Sequence, residues 1–251
     1  MKRLGIRFHG RLNDFLPKRQ RAISFDHEFD EAPSIKDLIE SLGVPHPEVE
    51  VMLVNSTAVN FDTLVRDGDQ IVVYPDLDDV IAAGQSPSVH VRPDPLPEAR
   101  FILDVHLGRL AAHLRMAGFD TLYRNDYEDD ELARISSVES RIVLTRDLGV
   151  LKRGIVVYGY FVRETKPERQ LSEILRRYKL FEKLHPFYRC TECNGLLIKV
   201  EKETISDRLE ARTKQFYDDF RQCQGCAKIY WKGNHFERMQ RFFDEISKHN
   251  Q

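Results

Sequence analysis

The chain has four cysteines, Cys190, Cys193, Cys223 and Cys226, and they fall into two Cys-x-x-Cys pairs separated by 29 residues. Each pair can aim two thiolates at one centre, and two pairs complete a tetrahedral sulfur shell. That shell suits a structural zinc ion and leaves no open coordination position. Two disulfides or a redox-active pair are the competing readings. The N-terminus continues polar where a secretory leader would be apolar, which disfavours disulfides, and duplication of the motif disfavours a redox pair. Asn194-Gly195 and Gly225 are expected to supply the tight backbone of the two turns.

A second constellation is acidic. Phe101-Ile102-Leu103-Asp104 and Ile142-Val143-Leu144-Thr145-Arg146-Asp147 each read as an apolar strand closing on a carboxylate, and Asp129-Asp130-Glu131 opens a helical pattern. On neighbouring strand ends, Asp104 and Asp147 would converge, with an acid from the 129–131 cluster completing the set. Carboxylates held together call for a divalent cation. Oxygen-only ligands favour Mg²⁺ or Mn²⁺, which suit phosphodiester hydrolysis. The plainer alternative is that each acid caps a helix or offsets its dipole.

The elements that must hold these groups follow from periodicity. Residues 100–104 predict a strand, and Leu107, Leu110, Ala111 and Leu114 recur at helical spacing up to a stop at Gly118. Further strands are predicted at 119–123, 141–147 and 155–161, with a helix opening at Asp129. Alternating strands and helices imply a parallel sheet with its ligand site at the strands' C-terminal edge. Beside the cysteine pairs, 196–200 and 228–231 predict strands, and 236–248 a closing helix.

The N-terminal third has a different pattern. Leu4-Gly5-Ile6-Arg7-Phe8 and Ala22-Ile23-Ser24-Phe25 predict a hairpin, and a helix follows with Ser34 as its cap and Ile35, Leu38, Ile39 and Leu42 on one face. Strands at 51–54 and 70–74 complete the order strand, strand, helix, strand, strand. Residues 82–99 contain four prolines and read as a semi-extended linker. Residues 1–99 carry 10 basic against 17 acidic groups, a net of −7, whereas 100–189 and 190–251 are at +4 and +1. An acidic N-terminal part beside a mildly basic remainder is compatible with nucleic-acid binding by the latter. No apolar run approaches the roughly 20 residues of a membrane span, and a cytoplasmic location is the expectation.

Two resemblances sharpen this picture. Residues 1–80, with Val54-Asn55 closing one strand and Asp67-Gly68-Asp69-Gln70-Ile71-Val72-Val73-Tyr74-Pro75 forming the last, resemble the ubiquitin-like sulfur carriers of thiamine and molybdopterin synthesis. Carrier chemistry needs a free terminal Gly-Gly, and here Tyr74-Pro75 runs on into Asp76-Leu77-Asp78-Asp79. The resemblance therefore implies the fold, and a module that binds a protein partner, without the activity. Phe101-Ile102-Leu103-Asp104, Gly108-Arg109-Leu110-Ala111, Leu114-Arg115-Met116-Ala117-Gly118-Phe119-Asp120-Thr121 and Arg141-Ile142-Val143-Leu144-Thr145-Arg146-Asp147 resemble the Mut-seven C-terminal ribonuclease family. That family is a branch of the PIN-like nucleases, fused to a zinc ribbon and often preceded by a ubiquitin-like domain.

The resemblance implies an α/β multidomain chain: a β-grasp domain over 1–80, a Pro-rich linker over 81–99, a PIN-like domain with a parallel sheet over 100–186, and a zinc ribbon with a closing helix over 187–251. It implies a Mg²⁺- or Mn²⁺-dependent ribonuclease with Asp104, Asp130 and Asp147 as metal-binding acids and Asp129 or Glu131 as rivals for Asp130. The RNA, tRNA or rRNA among the candidates, would meet Arg109, Arg115 and Arg146 through its phosphates, since a guanidinium can take two phosphate oxygens. Trp231 could stack on a base while Lys232 neutralises a phosphate, although Trp231 could equally cover the small core of the ribbon. PIN-like nucleases often use a fourth acid after the next strand, and here none occurs before Glu164. A non-catalytic RNA-binding or ribosome-associated adaptor is the alternative. His106 and His235 are expected to stay outside both metal sites.

Overall fold

A computed structural model describes residues 1–86 and 89–248; Pro87 and Ser88 of the predicted linker, and positions 249–251 of the predicted C-terminal module, lie outside the described residues. The chain runs β1 (Lys2–Phe8), β2 (Ser24–Phe29), α1 (Ile35–Ser41), β3 (Val51–Val54), β4 (Thr57–Val59), β5 (Gln70–Tyr74) and α2 (Leu77–Ala82). Next come β6 (Phe101–Leu103), α3 (Gly108–Met116), β7 (Thr121–Tyr123), α4 (Asp129–Glu139), β8 (Ile142–Thr145), α5 (Leu148–Leu151), β9 (Gly159–Phe161) and α6 (Pro167–Arg177). Last are β10 (Leu197–Val200), α7 (Lys202–Ile205), α8 (Ala211–Phe216), β11 (Phe220–Cys223), β12 (Ile229–Trp231) and α9 (Asn234–Lys248). The chain divides into two compact units, Met1–Pro97 with Glu128–Phe161, and Glu98–Tyr127 with Val162–Gln251.

In the first unit, five strands pair in the order β2-β1-β5-β3-β4, with β1 and β5 parallel and the other pairs antiparallel. Leu4, Ile6 and Phe8 alternate inward from β1 and meet Ile35, Leu38 and Ile39 of α1 and Ile71 and Val73 of β5 in one core. Ser34 caps α1 by accepting from the Asp37 N–H at 3.1 Å. β4 was not expected from the sequence. It arises because Asn55 and Ser56 both take positive φ, the two-residue turn that folds β3 back on itself. The predicted second strand is shifted to Ser24–Phe29, so that Phe25 pairs with Ile6.

Elements α4, β8, α5 and β9 belong to the same unit, and β8 and β9 are parallel. Buried side chains fasten them to the N-terminal part of the unit. Glu48, fully buried, accepts from the Phe161 N–H at 2.7 Å and from Arg11 Nε at 3.3 Å. The ring nitrogens of His46 lie 2.6 Å from Glu40 Oε1 and 2.9 Å from the Val156 carbonyl. Residues of the predicted linker are tied down as well: the Val91 N–H donates to the Glu50 carbonyl, and Arg92 pairs with the Glu50 carboxylate at 2.5 Å.

In the second unit, β6 and β7 are parallel, and α3 packs on α6. α6 has no counterpart among the elements predicted from periodicity, although Pro167 in its first turn and buried Leu171, Ile174 and Leu175 at helical spacing mark it. Gly118 ends α3 at φ +101°, and a Cβ there would lie 2.4 Å from the His185 carbonyl oxygen, so only glycine fits. β10, β11 and β12 form an antiparallel sheet that carries the cysteines. β11 is an addition to the predicted strands. It lies inside the long excursion between the pairs and ends on Cys223.

Candidate functional site

The two cysteine turns are built alike. The Cys190 N–H donates to the Gly195 carbonyl and the Asn194 N–H to the Cys190 carbonyl; Cys223 repeats this with the Lys228 carbonyl and the Ala227 N–H. The positive φ that closes each turn falls on Asn194 and Ala227, and not on the neighbouring glycines. Gly195 is needed for room: a Cβ there would stand 2.9 Å from Cys223 Sγ. Backbone N–H groups of Cys193 and Gly225 point at Cys190 Sγ and Cys223 Sγ at 3.4 and 3.3 Å.

All four Sγ atoms lie within 4.8 Å of one another, with Cys190 to Cys226 at 3.6 Å and Cys193 to Cys223 at 3.3 Å. A tetrahedral zinc with bonds of about 2.3 Å would set its sulfurs about 3.8 Å apart, so the quartet fits that ion. All four are free thiols. Burial works against the Cys190 thiolate, but N–H donation from Cys193 and Glu192 and contact with the Tyr230 hydroxyl and Cys226 outweigh it, and its pKa falls to about 7. The Lys228 N–H favours the Cys226 thiolate, yet burial and the other three sulfurs prevail, and that thiol is pushed up to about 12. Four crowded sulfurs cannot all ionise unaided, which is the condition a bound cation relieves.

Arg115 has a role that its sequence context did not indicate. It is 5 % exposed, and its guanidinium donates to the carbonyls of Thr121 at 2.9 Å, Glu192 at 2.7 Å and Thr191 at 3.2 Å. Burial lowers its pKa, while the nearby Cys190 and Cys193 raise it. The residue expected to touch RNA phosphate is thus a brace between β7 and the first cysteine turn. Asn194 adds to the brace, accepting from the Thr121 N–H at 3.0 Å and donating to Asp120 at 2.8 Å. Tyr230, also unassigned to this site by the sequence, places its hydroxyl 3.0 Å from Cys190 Sγ.

Asp104 follows β6, is 3 % exposed, and accepts from the Val105 N–H at 2.5 Å. His106 Nε2 lies 3.2 Å from its other oxygen. Asp130, on the first turn of α4, is exposed and pairs with Arg153, which also lies 3.6 Å from Asp129. Asp147 is exposed and caps α5 through the Gly149 N–H at 2.6 Å. Asp104 and Asp147 both serve as caps, as the plainer reading expected. Asp104 belongs to the second unit, and Asp130 and Asp147 to the first. Arg109 and Arg146 are exposed, Trp231 is 37 % exposed, and Lys232 pairs with Asp219 at 3.4 Å. The side chain of His235 lies outside the described part of the structure.

Residues 99–243, more than half of the chain and inclusive of all four cysteines and all three acids, match the Mut7-C RNAse domain. The chain belongs to the Mut7-C RNAse family. Residues 1–80 match the Mut7-C ubiquitin domain, which agrees with the mixed five-stranded sheet of the N-terminal part. No curated protein and no solved structure matches the chain. Membership of this family suggests a nuclease-like function with RNA as substrate. Among the described residues, no helix is long and apolar enough to cross a membrane.

Proposed function

We propose that this protein is a metal-dependent cytoplasmic ribonuclease, with a PIN-like catalytic domain over 100–186, a zinc ribbon over 187–251, and a ubiquitin-like domain over 1–80 joined by the 81–99 linker. The observation that carries the proposal is the match of residues 99–243 to an RNAse family. Asp104, Asp130 and Asp147 offer only oxygen donors, the set that suits Mg²⁺ or Mn²⁺. A cation held there would polarise the phosphoryl group and neutralise the leaving oxygen. The Val105 N–H holds one oxygen of Asp104, and His106 Nε2 lies 3.2 Å from the other. Arg109 and Arg146, both exposed, supply the phosphate contacts. The four thiolates hold zinc as a structural ion with no place for substrate.

A second reading, an RNA-binding adaptor without catalysis, draws on the pairing of Arg153 with both Asp129 and Asp130, because an arginine there competes with a cation. One experiment separates the two. Purified protein is incubated with labelled RNAs under Mg²⁺ or Mn²⁺ beside the Asp104→Asn, Asp147→Asn double variant. Cleavage by the wild type alone supports the nuclease. Equal cleavage by both excludes this site, and binding without cleavage by the wild type supports the adaptor.

A further inference from the structure

A groove of about 510 Å³ in the second unit opens between α3, the cysteine sheet and the start of α9. Its volume falls within the roughly 300–1,000 Å³ of sites that take small ligands. Four aromatic rings line it, Phe187, Tyr230, Trp231 and Phe236, and Ala112 of α3 faces them. The charged side chains of the lining are Arg189 and Lys228, with no carboxylate among the lining residues. Both cations have acidic partners, Asp120 at 3.8 Å and Glu192, neither of which lines the groove. The Lys228 pair is exposed, and such pairs are weak and give way to a better anion, whereas Arg189 is mostly buried and held by Asp120 and the Asn194 carbonyl, a fixed positive charge beside the groove. Flat aromatic walls beside two cations match a ligand that is itself a flat ring attached to a phosphate.

We propose that this groove is a nucleobase pocket. It takes one unpaired base of single-stranded RNA against its aromatic wall and sets the adjoining phosphate by Lys228, with the fixed charge of Arg189 beside it. The inference rests on the reading that RNA is the polymer bound, and it adds a binding site apart from the acidic residues. Tyr230 links the two functions of the cysteine sheet, since its ring lines the groove while its hydroxyl meets Cys190 Sγ. Zinc would then hold one wall of the pocket in place.

Trp231 is the chain's single tryptophan, so its fluorescence reports on this groove alone. The test titrates full-length protein, carrying Asp104→Asn and Asp147→Asn to block cleavage, with a short single-stranded RNA and with the same sequence as a duplex. Anisotropy of labelled RNA follows total binding in parallel. The expected result is saturable quenching by the single strand and little by the duplex. Ala112→Phe, which fills the groove, and Lys228→Glu, an exposed change, should each weaken the single strand roughly tenfold, the lower range for loss of a stacked base. Binding without quenching, equal quenching by duplex, unchanged affinity in both variants, or no RNA binding would each overturn the proposal. Cleavage by the wild type together with an unresponsive groove would leave the nuclease reading standing. Quenching with no cleavage by the wild type would remove that reading and keep the pocket.

Discussion

The cysteine quartet and the acidic residues are both sets of metal-type donors, yet they are assembled by opposite means. The quartet comes from two short turns of identical design, and every donor lies in one compact unit. Its geometry is preset by local hydrogen bonds, by room at Gly195 and by the Arg115 brace. The acids come from the ends of separate strands and the first turn of a helix, divided between two units. Each already has local work: Asp104 and Asp147 cap helical turns, and Asp130 pairs with Arg153. A site that must hold a structure together is built locally and closed. On the proposed function, the acids receive substrate, and their present partners are ones that can be exchanged.

That contrast predicts a hierarchy of effects. Removing the proposed zinc, or replacing Cys190 and Cys223 by serine, should cost the most, on the order of 10 kcal/mol for a structural zinc site. Because Arg115 and Asn194 fasten the first turn to β7, the loss should spread beyond the ribbon to α3 and β7. Hydrogen exchange of the α3 amides before and after chelation reads this, and unchanged α3 protection would confine zinc's role to the ribbon. Arg115→Ala should cost about 3 kcal/mol, since three carbonyls lose a charged donor. Chemical denaturation measures it.

Glu48→Gln should cost about 2 kcal/mol, because the amide replaces a buried carboxylate facing Arg11 while still able to accept from Phe161. The readout is again denaturation, and it tests whether the N-terminal sheet is a structural part of its unit. Arg109→Ala should have the smallest effect on stability, within about 0.5 kcal/mol, because it is exposed. RNA cleavage should nevertheless weaken. A stability loss as large as that of Arg115→Ala would erase the distinction drawn between the two arginines.

What the sequence made legible follows the same division. The thiol cluster could be read because its information is local: two spacings and two glycine-containing turns. The order of strands and helices around Asp104 and Asp147 was readable from apolar runs that end on carboxylates. Arg115 was misread because a guanidinium flanked by apolar residues on α3 has the same sequence appearance whether it meets phosphate or three backbone carbonyls. Residues 128–161 are tied to the N-terminal part of the unit through Glu48 and His46, two polar residues buried by contacts more than a hundred positions away, and no local pattern records such a pairing. β11 escaped notice because Phe220-Arg221-Gln222-Cys223 has too few apolar residues to mark a strand, and pairing with β10 and β12 is what fixes it.

The central proposal is that one chain holds a closed structural zinc site and an acidic catalytic one. Its most direct test measures zinc content, thermal midpoint and Mg²⁺-dependent RNA cleavage side by side in the wild type and the Asp104→Asn, Asp147→Asn double variant. The account predicts one zinc per chain in both and little change of midpoint, with cleavage reduced at least about 100-fold in the variant, the loss of several kcal/mol of transition-state stabilisation. Undiminished cleavage by a variant that keeps its zinc would contradict it.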